Sequence, residues 1–298
     1  MNTKTISKSI LALGLVGLVS CGGEDLNTDE NKIIATDTTT EEIVEIFEET
    51  TDYGVPTPNE FFEVIKLQGG EMQGGLVNPL ENQENYITQV DKALNFGIYS
   101  ADLAYMSCFG IGTEFLKYFK AIEDLGTDIG ISGAFDEDLM DRIENNEGDT
   151  DSLFAISNQS YYDSYLYLEE NELGVELSLI MASGYIESLY IVCNVAGEYN
   201  AEDPIIEKIG DQKIVLENLL DFIATYADDQ DVANIYGDLA DLDDVFTNNM
   251  DFEESGSNVD TEDDVLMVTG GGSFVMNEKT LTEVTKKVTE LRNNITNK

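Results

Sequence analysis

Histidine and tryptophan are absent from the 298 residues, proline occurs four times and cysteine three times, and fifteen Lys and Arg face sixty Asp and Glu. Each shortage closes a class of chemistry. Without histidine the chain lacks the commonest general base, the Ser-His-Asp and Cys-His arrangements, the usual catalytic zinc ligands and the Glu-x-x-His di-iron pattern. The cysteines are too few and too far apart for a zinc site. Basic residues this scarce make nucleic acid and bare anionic lipid poor partners. Strand signals are also thin: there is no sustained alternation and no Asn-Gly turn, and the prolines fall near helix starts or in loops. Nothing repeats with the period of a tetratricopeptide array.

What is present begins at the N-terminus. Lys4 and Lys8 precede ten apolar or Gly residues, and "LVSC" closes the run at Cys21. A stretch that short does not span a bilayer, and the small residue before Cys21 suits processing. The pattern resembles a bacterial lipoprotein signal, which implies that Cys21 is acylated and that the mature chain is held to a membrane by its N-terminal lipid. Two or more acyl chains make such an anchor stable. Residues 21–40 are polar, acidic and Thr-rich, the composition of a flexible tether. "CGGED" resembles the export signals of surface lipoproteins in Bacteroidota-type bacteria. The expected organisation is a signal peptide at 1–20, a lipidated tether at 21–40 and a single all-helical domain at 41–298. Outer-membrane anchoring on the periplasmic or cell-surface side follows from the resemblance.

Loss of residues 1–20 takes Lys4 and Lys8 with it, so thirteen basic residues face sixty acids and the formal charge is −47. Charge of one sign on that scale repels itself and is relieved by salt. With 42% apolar residues, the body still belongs with globular proteins.

Helix signals dominate the body. "TPNE" at 57–60 is a capping box with Pro at the first helical position, and "TTEEIVEIFEE" carries the same box at Thr39 and Glu42. "NPLE" at 78–81 reads as an Asn cap opening a long helix. Further apolar periods follow beyond Gly112, from about Asp136 to Asn146, from 150 to 170 and from 173 to 198. Asp203 and Pro204 open another helix, and Leu281, Val284, Val288, Leu291 and Ile295 form the face of the last one. "GGGS" at 270–273 reads as a hinge. The fold class is all-α: a multi-helix bundle with buried central helices behind a signal peptide and a flexible acidic tether.

Two charge-poor runs of equal length stand out. Positions 93–113 hold only Asp102 as a charge, and positions 177–197 hold only Glu187. Each acid is followed by Tyr three on and Cys six on, in "DLAYMSC" and "ESLYIVC". Acid and Tyr then share a helix face. Helices apolar all round sit inside bundles, where a carboxylate needs a partner or a proton. Tyr99 and Tyr105 lie beside Asp102, and Tyr190 beside Glu187. Arg142 and Arg292 are the only arginines, and a residue so sparingly used is a candidate to meet an interior acid. A structural polar contact ranks first. A ligand site built from Asp102, Glu187, Tyr99, Tyr105, Tyr190 and Arg142 ranks second, and an acid pair acting on a glycoside ranks third. For the two cysteines of the body, Cys108 and Cys193, free buried thiols rank first and a single disulfide formed outside the cytoplasm is the alternative.

Glycine-rich "GGEMQGGL" lacks the Lys-Ser/Thr of a phosphate loop, and no acidic cluster has the calcium-loop spacing. No cofactor, metal ligand or catalytic residue is expected. The segments "YGVPTPNEFFEVI", "VNPLENQENYITQVDKALNFGIYSADLAY", "DRIENNEGDTDSL" and "SGYIESLYI" resemble a group of uncharacterised, all-helical lipoproteins of Bacteroidota-type bacteria with no assigned activity. The expectation is a lipid-anchored binding or scaffold protein of the outer membrane that meets an envelope protein or a small ligand. The alternatives are an envelope glycan-acting enzyme with a carboxylate pair and a purely structural lipoprotein.

Overall fold

The compact unit containing the body runs from Thr39 to Lys298. The computed structural model describes residues 54–298 apart from 111, 136–137, 147 and 263–264, with backbone alone for 112–113 and 252–274. Cys21, the tether and the Thr39–Glu42 box lie outside the described residues.

Among the described residues, nine α-helices build an all-α bundle: α1 Pro58–Leu67, α2 Gln89–Cys108, α3 Gly112–Asp128, α4 Leu139–Asn145, α5 Thr150–Glu170, α6 Gly174–Ala196, α7 Pro204–Ala224, α8 Gln230–Asn249 and α9 Glu278–Thr296. Their starts follow the capping residues. Thr57 Oγ1 accepts from the Glu60 N–H at 3.2 Å while the Thr57 N–H donates to Glu60 Oε2 at 2.6 Å. Asp203 Oδ1 accepts from the Ile205 N–H ahead of α7, and Asn277 Oδ1 accepts from the Thr280 N–H ahead of α9. Each bond satisfies an amide that the first turn leaves without a helical partner.

One start differs from the sequence reading. Asn78 does not cap a helix: Pro79 leads into a short 3-10 helix, Leu80–Asn85. The long helix opens only at Gln89, where Thr88 and Asp91 form a capping box of their own. Asn78 is unavailable as a cap because its side chain and its backbone groups are all engaged in other contacts, described below.

α2 and α6 are the centre. They pack along each other; α3, α5 and α1 also contact α2, while α7, α8 and α9 contact α6. Both central helices are apolar around their circumference, so each is enclosed on every side. α6 has the length and mean hydropathy, 1.4, of a membrane span, yet 83% of that stretch is buried inside the bundle. The crossing is close because Gly97 and Gly184 face each other. A Cβ on Gly97 would collide with Ser183 Oγ and the Ile180 carbonyl.

Between α8 and α9 the chain makes an antiparallel hairpin, β1 Asp251–Glu262 and β2 Val265–Val275, with Glu262 opposite Val265 and an irregularity between Ser255 and Asn258. Positions 270–273, read from the sequence as a hinge, therefore lie within β2. The apolar run at 265–268 pairs with β1, and the strand continues through the glycines. The hairpin meets the bundle through contacts of β2 with α7.

Candidate functional site

Asp102, about two thirds of the way along α2, and Glu187, just past the middle of α6, are both 0% exposed. The two carboxyls hydrogen-bond to each other across the α2–α6 contact. Their remaining partners differ. Arg292 of α9 grips Glu187 with two bonds, Nε to Oε2 at 3.0 Å and Nη2 to Oε1 at 3.2 Å, and Nη2 also reaches the Leu76 carbonyl at 3.3 Å. The guanidinium lies 4.8 Å from the centre of the Tyr190 ring, a cation–π contact. Asp102 has no cation of its own; its Oδ2 accepts from the Asn78 N–H at 2.9 Å. Its Oδ1 finds no N–H or hydroxyl donor.

That geometry places one proton. Burial pushes the Asp102 carboxyl well above its ordinary range, the neighbouring Glu187 charge pushes it the same way, and the Asn78 N–H opposes. Burial pushes Glu187 up too, against the charge and hydrogen bonds of Arg292. A forked arginine holds the ionised form far better than a single amide does. Asp102 is therefore the acid that keeps its proton, with the Oδ1 hydroxyl donating to Glu187. The result is a cluster of Asp-COOH, Glu-COO⁻ and Arg⁺ whose formal charges cancel, with both acids closed from solvent and Arg292 at the edge.

Asn78 anchors the cluster from the segment that precedes α2. Besides its N–H to Asp102, its amide nitrogen donates to Tyr86 Oη at 2.9 Å, its amide oxygen accepts from Asn82 at 2.8 Å, and its carbonyl accepts from Tyr118 Oη at 2.9 Å. Tyr86 Oη in turn reaches the Thr296 carbonyl at the end of α9. The network thus ties the segment 76–86 to α2, α3, α6 and α9.

The residues proposed from sequence divide accordingly. Asp102, Glu187 and Tyr190 come together. Tyr99 is near but turns its hydroxyl to the Pro79 carbonyl at 3.1 Å. Tyr105 exchanges bonds with the Gln73 backbone, accepting from its N–H at 2.7 Å and donating to its carbonyl at 3.1 Å. Arg142 sits on the exposed side of the short helix α4, away from the acids, so it leaves the site. Of the two arginines, Arg292 is the one that meets the interior carboxylate. Asn78, Tyr86 and Tyr118 were not foreseen, since no local pattern pairs Asn78 with partners as remote in sequence as Asp102 and Tyr118. Cys108 and Cys193 are free and buried, and burial raises each thiol to about 12, where it stays protonated and unreactive.

The cluster offers little to a substrate. Both acids are closed from solvent, and carboxyls in hydrogen-bond contact stand closer than the roughly 5 to 9.5 Å that glycoside hydrolysis needs. Open space lies elsewhere. One groove of about 430 Å³ runs over Met72, Val77, Leu80, Met106 and Tyr118, with Glu81 and Glu114 at its edge. A second, about 720 Å³, lies between Tyr199 and the Leu281, Thr285 and Thr289 side of α9, with Glu198, Glu278 and Lys286. A third, about 310 Å³, lies between α1 and α7. No protein-family model, curated protein or solved structure matches the chain.

Proposed function

We propose that the chain is a non-catalytic binding or scaffold lipoprotein of the outer membrane, anchored through acylated Cys21, belonging to the all-helical lipoprotein group of Bacteroidota-type bacteria that its segments resemble. Its body works by contact with an envelope protein or a small ligand at its open grooves. One observation carries this reading over the enzymatic one: Asp102 and Glu187, the most chemically distinctive acids of the chain, satisfy each other, Arg292 and Asn78 inside a closed core. Side chains committed in that way hold the bundle together and leave recognition to the surface.

Growth with an alkynyl fatty acid tests the anchor: label on the wild-type protein and none on Cys21→Ser, which moves to the soluble fraction. The non-catalytic part is tested with envelope glycan as substrate. No product is expected from the wild type, and glycan cleavage that Asp102→Asn abolishes at unchanged melting temperature would overturn the reading.

A further inference from the structure

Ser188 of α6 is buried, and its hydroxyl finds no hydrogen-bond partner among the described residues. That sets it apart from other buried serines of the bundle. Ser100, Ser160, Ser164, Ser178 and Ser183 each donate to the carbonyl four residues back in their own helix, the usual outlet for a serine inside a helix. Ser188 has the Gly184 carbonyl at the same offset and does not use it. It lines instead a cavity of about 20 Å³, bounded by α1, α5, α6, α7 and the segment 55–57 that leads into α1. A buried hydroxyl without a partner opposes folding, so native interiors rarely keep one.

A second hydroxyl reaches the same cavity from α5. Tyr161 is half-buried with its hydroxyl end turned inward: an atom in the Cβ position of Gly184 would stand 3.9 Å from Tyr161 Oη. Gly184 and Ser188 lie one turn apart on one face of α6, so Ser188 Oγ and Tyr161 Oη meet the cavity from two helices. Burial pushes the Tyr161 phenol up, the charge of Glu60 adds to that, and no hydrogen bond opposes. Gln212 of α7, also buried, supplies a third polar wall; its amide nitrogen makes a long bond, 3.4 Å, to the Lys208 carbonyl. Hydroxyls that share a polar cavity without bonding each other are suited to a bridging water.

We propose that this cavity binds one ordered water molecule, hydrogen-bonded to Ser188 Oγ and Tyr161 Oη and completed by Gln212, which joins α5 to α6 beneath the start of α1. The size selects the ligand. A buried water needs about 10–15 Å³ of such space and two to four polar partners; about 20 Å³ admits one water and shuts out an organic molecule. No acid lines the cavity, which makes it a poor seat for a metal ion. The cavity on the other side of Tyr161 provides the contrast. It holds about 10 Å³, and its serines, Ser100, Ser157, Ser160 and Ser164, already donate to the carbonyls of Phe96, Ile156 and Ser160 and to Asn59 Oδ1. Its space is at the lower limit for a water, and no serine hydroxyl is left over. The proposal goes beyond the surface grooves: it concerns how the core is completed, and it holds whatever the body binds.

The test uses the full mature chain with Cys21→Ser, so its outcome does not depend on whether Cys21 is acylated. In a crystal structure of that protein, density for one water is expected at about 2.5–3.0 Å from both Ser188 Oγ and Tyr161 Oη. In urea, Ser188→Ala and Tyr161→Phe should each lower the midpoint, because each takes a partner from the water, and the double variant should lower it by less than the sum. A dry cavity gives the opposite sign, since deleting an orphan hydroxyl leaves the midpoint unchanged or raises it. That result, or a cavity without density, overturns the proposal. A direct bond between Ser188 Oγ and Tyr161 Oη overturns it as well, since it would couple the two variants with no water between them.

Discussion

α2 and α6 begin as near twins, two charge-poor stretches of equal length with one acid, one Tyr and one Cys at the same spacing, and they end in different charge states. Glu187 is ionised because α9 brings Arg292 to it in a fork. Asp102 meets only an amide and another carboxyl, so it keeps a proton. The tyrosines diverge in the same way: Tyr190 gives its ring face to Arg292, whereas Tyr105 gives its hydroxyl to the Gln73 backbone. Local pattern decides that a side chain is buried, but the remote segment that arrives beside it decides its protonation and its role.

Arg292→Met should produce the largest difference between the two rods. It strands Glu187 in a closed core and deprives the Leu76 carbonyl of a donor. Breaking a buried pair from one side costs about 3–5 kcal/mol. The double variant Arg292→Met with Glu187→Gln leaves no unpaired charge and should recover most of the loss in urea denaturation. If the single and double variants unfold alike, Arg292 contributes only its packing.

The close crossing of the rods gives a second, smaller asymmetry. Gly97→Ala places a methyl into Ser183 and the Ile180 carbonyl, an overpacking cost of about 1–3 kcal/mol. On the facing helix, a Cβ at Gly184 would sit 3.6 Å from the Gly97 carbonyl, an ordinary contact. Gly184→Ala should therefore be neutral or gain up to about 1 kcal/mol from helix propensity. Thermal melts of the two variants compare the faces directly. The tyrosines differ in the same way: Tyr105→Phe removes two bonds to the Gln73 backbone and should cost about 1–3 kcal/mol, comparable to Gly97→Ala. Tyr190→Phe keeps the ring beneath Arg292 and should stay within about 0.5 kcal/mol of wild type.

Much of the bundle was legible because its signals are local. Thr57 with Glu60, Asp203 with Pro204, and the heptad-like face of α9 each declare a helix within a turn or two, and charge-poor runs declare the central pair. The acids at 102 and 187 announced themselves by isolation, and arginine scarcity narrowed the partner to two positions. Choosing Arg292 over Arg142 required knowing which helix returns beside α6, a matter of tertiary packing. Asn78 was misread because an Asn before Pro has the same local appearance whether it caps a helix or serves as a hub for Tyr86, Asn82 and Tyr118. The hairpin was missed because the acids of 251–262 and the glycines of 270–272 depress strand propensity. The pairing that stabilises it reaches from Asp251 to Val275, beyond any local window.

Asp102→Asn gives the smallest effect at low pH and the sharpest test of the difference between the rods. An amide reproduces the protonated acid: its oxygen accepts from the Asn78 N–H and its nitrogen donates to Glu187. Near pH 4 the two proteins should therefore differ by less than about 1 kcal/mol. Asp102's carboxyl is raised in the folded state, so above its unfolded value of about 3.9 the folded wild type holds a proton that the unfolded chain has lost. Its contribution to stability is fully present below that value and falls as pH rises, by about 1.4 kcal/mol per pH unit, until the folded-state carboxyl itself ionises. The variant has no such proton, so relative to wild type it should gain stability with rising pH. Urea midpoints of both proteins from pH 4 to 8 check this, with the acids remote from the Asp102–Glu187 pair cancelling in the difference. Parallel curves would mean that Asp102 carries no extra proton in the fold and that the two rods, alike in sequence, are alike in charge as well.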